Sequence, residues 1–227
     1  YPGYLFSEWS ISKNQISSLT DGKTIRANYT KDVSQTYTIK ANGATISVGG
    51  KEYQDIATGV SYDAKVTVGK QGVTSWKIGD STVAYGEKYT FYCAANIELT
   101  AVEGKSEEAK TQIAIISTNR PSSQAPDVLF IATRSIADGE TVEKQGFIYG
   151  KNALASDLTL ENVGKSASGA NPGTIKVIYN KKSSNQIGLN YGLIAMSGNI
   201  GARAFVVTKD ASGKEKVTYS NASIYTY

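Results

Sequence analysis

Apolar side chains recur along this chain at every second position. Ile25, Ala27 and Tyr29 alternate with Arg26 and Asn28, and Lys65-Val66-Thr67-Val68 and Lys88-Tyr89-Thr90-Phe91-Tyr92 repeat the pattern. A period of two sends successive side chains to opposite faces, so these stretches predict half-buried β-strands. Between residues 34 and 103 it predicts six: Thr36–Lys40, Ala44–Val48, Ala64–Val68, one around Trp76, Lys88–Tyr92 and Ile97–Val102. Asn42-Gly43 is a hairpin signal between the first two, and Gly49-Gly50 is a further turn. Beyond residue 110 come Gln112–Ile116, Val128–Thr133, Thr141–Tyr149, Thr174–Tyr179, Gly188–Met196, Ala202–Thr208 and Lys216–Tyr219. Short strands broken by Gly and Ser turns predict a β-sandwich, with Asp210-Ala211-Ser212-Gly213 closing a hairpin. The expected fold class is all-β, with no helix longer than about two turns.

One pattern occurs twice. A Trp with Ile two residues on (Trp9 and Ile11, Trp76 and Ile78) leads through a polar turn into an alternating strand that carries Ala27 in the first copy and Ala101 in the second. Repetition within a chain predicts stacked modules. Three units are expected: 1–31 as the C-terminal part of a β repeat, 32–104 as a small β repeat module, and 105–227 as a sandwich, with a boundary in the charged stretch Glu103–Lys110. Their repeat positions predict packing roles for both Trp9 and Trp76 rather than sugar-stacking ones. Residues 1–31 are expected to pack on the next module or on a neighbouring chain, with Trp9 mostly buried, since two strands alone are marginal. Tyr225 and Tyr227 are the exposed aromatic platforms that the sequence offers to a ligand.

Composition narrows the chemistry. The 227 residues include no histidine, one cysteine and one methionine, which excludes Ser-His-Asp and Cys-His catalysis and any internal disulfide. Cys93, after a predicted strand, reads as a small buried hydrophobe. Asp21-Gly22-Lys23-Thr24 echoes the end of a phosphate loop, but Ser17 stands where the first glycine belongs and no helix follows. Asp55, Asp63, Asp80, Glu87 and Glu98 are the carboxylates that could pair for acid–base work, and solvated strand faces and turns are their expected setting. Lys176 and Asn221 have strand settings that would suit a Lys–Asn isopeptide crosslink, as do several other residues. No catalytic, metal or cofactor-binding residue is singled out, no cofactor is expected, and the chain reads as a non-enzyme. A net charge of +4 spread over scattered lysines gives no nucleic-acid groove. No apolar run approaches the roughly 20 residues of a membrane span, so no direct insertion of this segment is expected, and Tyr1-Pro2-Gly3 lacks the layout of a signal peptide.

Gly3-Tyr4-x-Phe6-x-x-Trp9 followed by Thr24-x-x-Ala27-x-Tyr29 resembles the second half of a Listeria–Bacteroides, internalin-type B repeat, a β-grasp-like unit of bacterial surface proteins. Glu8 departs from the glycine usual before the Trp. Residues 34–103 resemble a divergent relative that keeps Trp76 and the last strand but ends in Ala101-Val102. Gln145-Gly146-Phe147-Ile148-Tyr149-Gly150 and Ala202-Arg203-Ala204-Phe205-Val206 are similar to immunoglobulin-like or fibronectin-III-like domains of Gram-positive surface proteins. The resemblance implies a secreted or wall-displayed array, extracellular, with a role in adhesion or spacing, and carries no catalytic residue. The function expected is therefore a non-enzymatic stalk, adhesion or matrix-binding element. Its partners would be a protein or glycan ligand at the surface and neighbouring repeat modules, with no nucleic acid. The tyrosine content motivates an alternative, a carbohydrate-binding accessory module of a larger secreted enzyme or scaffold. A fibre-forming subunit is a third reading.

Overall fold

The computed structural model describes residues 4–12, 15, 25–32, 34–104, 109–119, 127–192 and 198–227. The turn at Asp21-Gly22, residues 105–108 of the charged boundary stretch, the Pro121/Pro126 loop and Met196 lie outside the described residues. The fold is all-β. Its strands are β1 (Tyr4–Trp9), β2 (Ala27–Lys31), β3 (Thr36–Val48), β4 (Lys51–Ser61), β5 (Lys65–Gly69), β6 (Val73–Ile78), β7 (Ser81–Tyr85), β8 (Lys88–Tyr92), β9 (Ile97–Glu103), β10 (Gln112–Asn119), β11 (Asp127–Ser135), β12 (Thr141–Lys151), β13 (Lys176–Tyr179), β14 (Gln186–Gly192), β15 (Asn199–Lys209), β16 (Glu215–Tyr219) and β17 (Ser223–Thr226). Among the described residues, helical structure is confined to short 3-10 turns such as Ala155–Asp157 and Leu160–Asn162.

β1 and β2 form a two-stranded antiparallel sheet. Seven strands, β3 to β9, form the next sheet in the order β7-β6-β9-β3-β5-β8, with β4 along the other edge of β3. The predicted hairpin at Asn42-Gly43 does not form. β3 runs straight through it, and the register against β4 jumps from Ala41 to Thr45. Gly43 adopts a positive φ of 70°, and its N–H donates to Asp55 Oδ1 at 2.5 Å, so the glycine's freedom kinks the strand instead of reversing it. The kink lets one strand serve two ladders: Ile39, Lys40 and Ala41 pair in parallel with β9, and Thr45 to Val48 pair antiparallel with β5. The reversal comes at Gly49-Gly50, where both residues have positive φ and Val48 faces Lys51, the two-residue turn that suits twisted strands. Strands β4 and β7, absent from the sequence pattern, line the outside of this sheet. In β4 only Ala57 and Val60 are buried, too few to show a period.

The core of this module gathers Ile39, Ile46, Val66, Val68, Phe91 and Leu99 around a fully buried Trp76, whose indole N–H donates to Gly86 O at 3.1 Å. Cys93 is likewise fully buried, as expected of a small hydrophobe.

Residues 110 onward form a sandwich of a three-stranded sheet, β10-β11-β14, and a five-stranded sheet, β13-β12-β15 with β16 and β17. Phe130, Phe147, Leu189, Ile200 and Val206 fill the space between them. The segment from Ala153 to Ile175 covers the far side of the second sheet, packing Leu158 and Ile175 on Ile148 and Phe205. β12 and β15 are therefore buried on both faces over Gln145–Ile148 and Ala204–Thr208. Asp157 ties the covering segment together by accepting from Leu154 N at 2.8 Å, Ser168 N at 2.9 Å and Ser168 Oγ at 2.6 Å. Gly146 permits the close approach of β13, because a Cβ there would sit 1.9 Å from Ile178 O. Asp210 closes the predicted hairpin, its Oδ1 accepting from Ser212 N at 2.9 Å and Lys214 N at 3.0 Å.

Candidate binding surfaces

The sequence repeat reappears in the strand registers. In the first hairpin Phe6 faces Tyr29, Ser7 bulges out, Glu8 faces Asn28 and Trp9 faces Ala27. In the module Val73 faces Glu103, Thr74 bulges out, Ser75 faces Val102 and Trp76 faces Ala101. In both copies the extra residue stands two before the Trp, and the Trp crosses to an Ala on the closing strand. A bulge flips the alternation of its strand, so sharing its position means the two hairpins present equivalent faces.

Their surroundings differ. Trp76 has no exposed surface, whereas Trp9 is 58 % exposed, and Phe6 and Ile25 are 50 % and 42 % exposed. Within the chain, the expectation that residues 1–31 pack on the next module and bury Trp9 is thus not met. The strands that enclose Trp76, chiefly β3, β5 and β8, have no counterpart over Trp9 among the described residues. Phe6 meets Trp9 with ring centroids 5.3 Å apart at 57°, and Tyr29 at 6.0 Å and 80°. Among the described residues this aromatic face is the largest group of exposed apolar side chains on neighbouring strands, and pattern alone could not reveal it, because an open core face and a covered one share the same period.

The tyrosines proposed as platforms sit the other way round. Tyr225 and Tyr227 are half-buried, packed against the sandwich core and edge-on to each other at 5.5 Å. All five candidate carboxylates are exposed. Two of them fix the main chain, Asp55 at the β3 kink through Gly43 N and Glu87 at a turn through Gly72 N at 2.8 Å. Lys176 and Asn221 both face solvent. Burial pushes the Cys93 thiol up to about 11, away from nucleophilic chemistry. Among the described residues no group of three or more Cys, Asp or Glu is arranged to hold a metal ion, and no helix is long and apolar enough to cross a membrane.

A second surface lies where the seven-stranded sheet meets the sandwich. The buried Tyr89 hydroxyl and Thr133 Oγ1 share a hydrogen bond of 3.0 Å, and burial raises the phenol to about 12. Gln112 Nε2 donates to the Tyr85 hydroxyl at 3.0 Å. The Gln186 side-chain amide grips the main chain of Tyr92, accepting from its N–H and donating to its carbonyl, each at 3.1 Å. Ala94, Leu129 and Ile131 pack between them with Tyr62 and Ile116. Beside this contact an open cleft of about 280 Å³ is lined by Tyr62, Asp63, Tyr92 and Ile131.

No protein-family model matches the chain, and no curated protein does. Among solved structures it is similar to the major pilin subunit of Bacillus cereus, at 9 % identity over 84 % of this chain and 68 % of that one, with a TM-score of 0.23. A likeness of that size carries no argument about function.

Proposed function

We propose that this is a non-enzymatic, extracellular, modular β-protein of a bacterial cell surface, serving as a stalk that carries or spaces an adhesive or matrix-binding element. The observation that supports it is the junction. A spacer must hold successive units at a fixed angle, and here Tyr89–Thr133, Tyr85–Gln112 and the Gln186–Tyr92 clasp surround an apolar contact, where a flexible joint would be small and polar. The scattering of the carboxylates over turns and exposed faces, together with the missing histidine, supports a binding rather than a catalytic role. Antibodies raised against the chain test the placement: they should label intact, unpermeabilised cells of the bacterium that encodes it. Labelling only after lysis would overturn the reading. Beads coated with the purified chain test the adhesive role, and should bind host matrix proteins more than beads coated with a neutral protein.

The exposed aromatic face of β1 and β2 favours a second reading, a carbohydrate-binding accessory module, since aromatic rings stack on sugars. Binding to a glycan array that is lost in Trp9→Ala would support it. No binding to any glycan would remove it.

A further inference from the structure

We infer that the cleft between the seven-stranded sheet and the sandwich is a site for an alkylammonium group, borne by a lysine side chain of a partner polypeptide or by a free amine. Nothing in this depends on where the protein is displayed.

The walls come from both units, on segments that the main chain fixes. Tyr62 and Asp63 lie in the turn from β4 to β5, closed by Ala64 N donating to Ser61 O at 3.2 Å. Asp63 N donates to Cys93 O at 2.6 Å and Cys93 N to Ala64 O at 2.8 Å, which sets this turn beside the end of β8 and its Tyr92. The Gln186 clasp holds the main chain of Tyr92 from the sandwich side, and buried Ala94, Leu129 and Ile131 form the apolar floor. The lining is thus ordered before a ligand arrives, and binding costs little rearrangement.

The charge and the rings select the ligand. On a chain of net charge +4, Asp63 is the only formally charged residue among the described residues that line the cleft. Lys65 faces Tyr92 in the ladder between β5 and β8, but it is exposed and forms no ion pair with Asp63. A cation is therefore the charge that the cleft complements. Tyr92 is 50 % exposed and Tyr62 half-buried, and tyrosine rings beside a carboxylate attract an organic ammonium group. A divalent metal ion is a poorer fit, since it takes about six oxygen ligands where this lining supplies one carboxylate. The volume, about 280 Å³, is below that of a pocket for a drug-sized molecule and suits a single side chain, whose methylenes would cover the floor while the ammonium stays at the rim.

The test titrates the full chain with n-butylammonium at constant ionic strength and follows the amide signals of Asp63, Cys93 and Gln186 by NMR. Saturable shifts are expected, and n-butanol and n-butyrate, which share the chain but not the charge, should leave these signals in place. Asp63→Asn and Tyr92→Leu should each weaken binding about threefold or more. Both replace exposed side chains, and an unchanged urea midpoint confirms that each variant folds as the parent does. N-acetyl-lysine N-methylamide is the second probe: tighter binding than n-butylammonium assigns the ammonium to a polypeptide, and weaker binding assigns it to a free amine. The site is overturned if n-butylammonium gives no saturable shift, if n-butanol or a neutral sugar such as glucose shifts the same signals equally, or if both variants bind as the parent does.

Discussion

The side chain of Gln186 acts on Tyr92 as a neighbouring strand would, accepting from its N–H and donating to its carbonyl across the boundary between two sheets. Gln186 is itself held. Arg134 N donates to Asn185 O at 2.9 Å, and the buried Arg134 guanidinium donates to Gln145 Oε1 and to Lys182 O, fixing the loop that ends at Gln186. Loss of both contacts in Gln186→Ala should cost about 1–2 kcal/mol, since a typical hydrogen bond contributes roughly 1 kcal/mol net. Urea unfolding measures the loss, and hydrogen exchange at the Tyr92 amide should accelerate with it. Unchanged exchange at Tyr92 would show that the clasp does not order the junction.

The two tryptophans should respond to truncation to very different degrees. Trp76→Ala empties the centre of a core and strands Gly86 O, for an expected cost of about 3–5 kcal/mol. Trp9→Ala removes an exposed ring and should change stability by less than about 0.5 kcal/mol. Denaturant midpoints of the two variants, each compared with the parent chain, check the contrast. Comparable losses would mean that Trp9 is covered in solution.

Asp157 supplies an acid-sensitive element of stability. The Ser168 hydroxyl, then the Ser168 and Leu154 N–H groups, hold its carboxyl below the ordinary 3.8. A carboxylate whose folded pKa is depressed stabilises fully above its unfolded value, and the contribution is lost as pH falls through the folded one. The stability of the parent chain should therefore fall more steeply below about pH 4 than that of Asp157→Asn, while the variant is the less stable at pH 7. Parallel stability curves from pH 2 to about 7 would count against this role.

Cys93 should resist modification. With no exposed surface and a thiol pushed up to about 11, it should not react with Ellman's reagent at neutral pH in the folded chain and should react at once in urea. Rapid labelling of the folded protein would show that this part of the module opens readily.

Period two made the strands legible wherever one face meets a core. It named Ala64–Val68, which forms as Lys65–Gly69, and Lys88–Tyr92, because Val66, Val68, Tyr89 and Phe91 are buried while their neighbours are not. It missed Lys51–Ser61, where Asp55 adopts a positive φ and only two side chains turn inward, and it read the Asn42-Gly43 kink as a reversal. Asn-Gly permits either outcome, and what decides is whether the partner strands lie beside the chain or behind it. The repeat around Trp9 and Trp76 was equally legible, but the bulge position that the two copies share came only from the registers, and burial was not legible at all. Whether Trp9 is covered depends on strands that its own pattern does not mention, and for the same reason Tyr225 and Tyr227 read as open platforms although the sandwich core takes them up.

The parallel pairing of β3 with β9 also has a mechanical meaning. These are the strands by which the chain enters and leaves the module, and because they lie side by side and run the same way, the entry at Thr36 and the exit at Glu103 point to opposite ends. A pull along the chain slides one strand past the other, so the bonds at Ile39, Lys40 and Ala41 must fail together rather than peel apart singly. Tension transmitted along the chain would therefore load this contact in shear rather than unzip it.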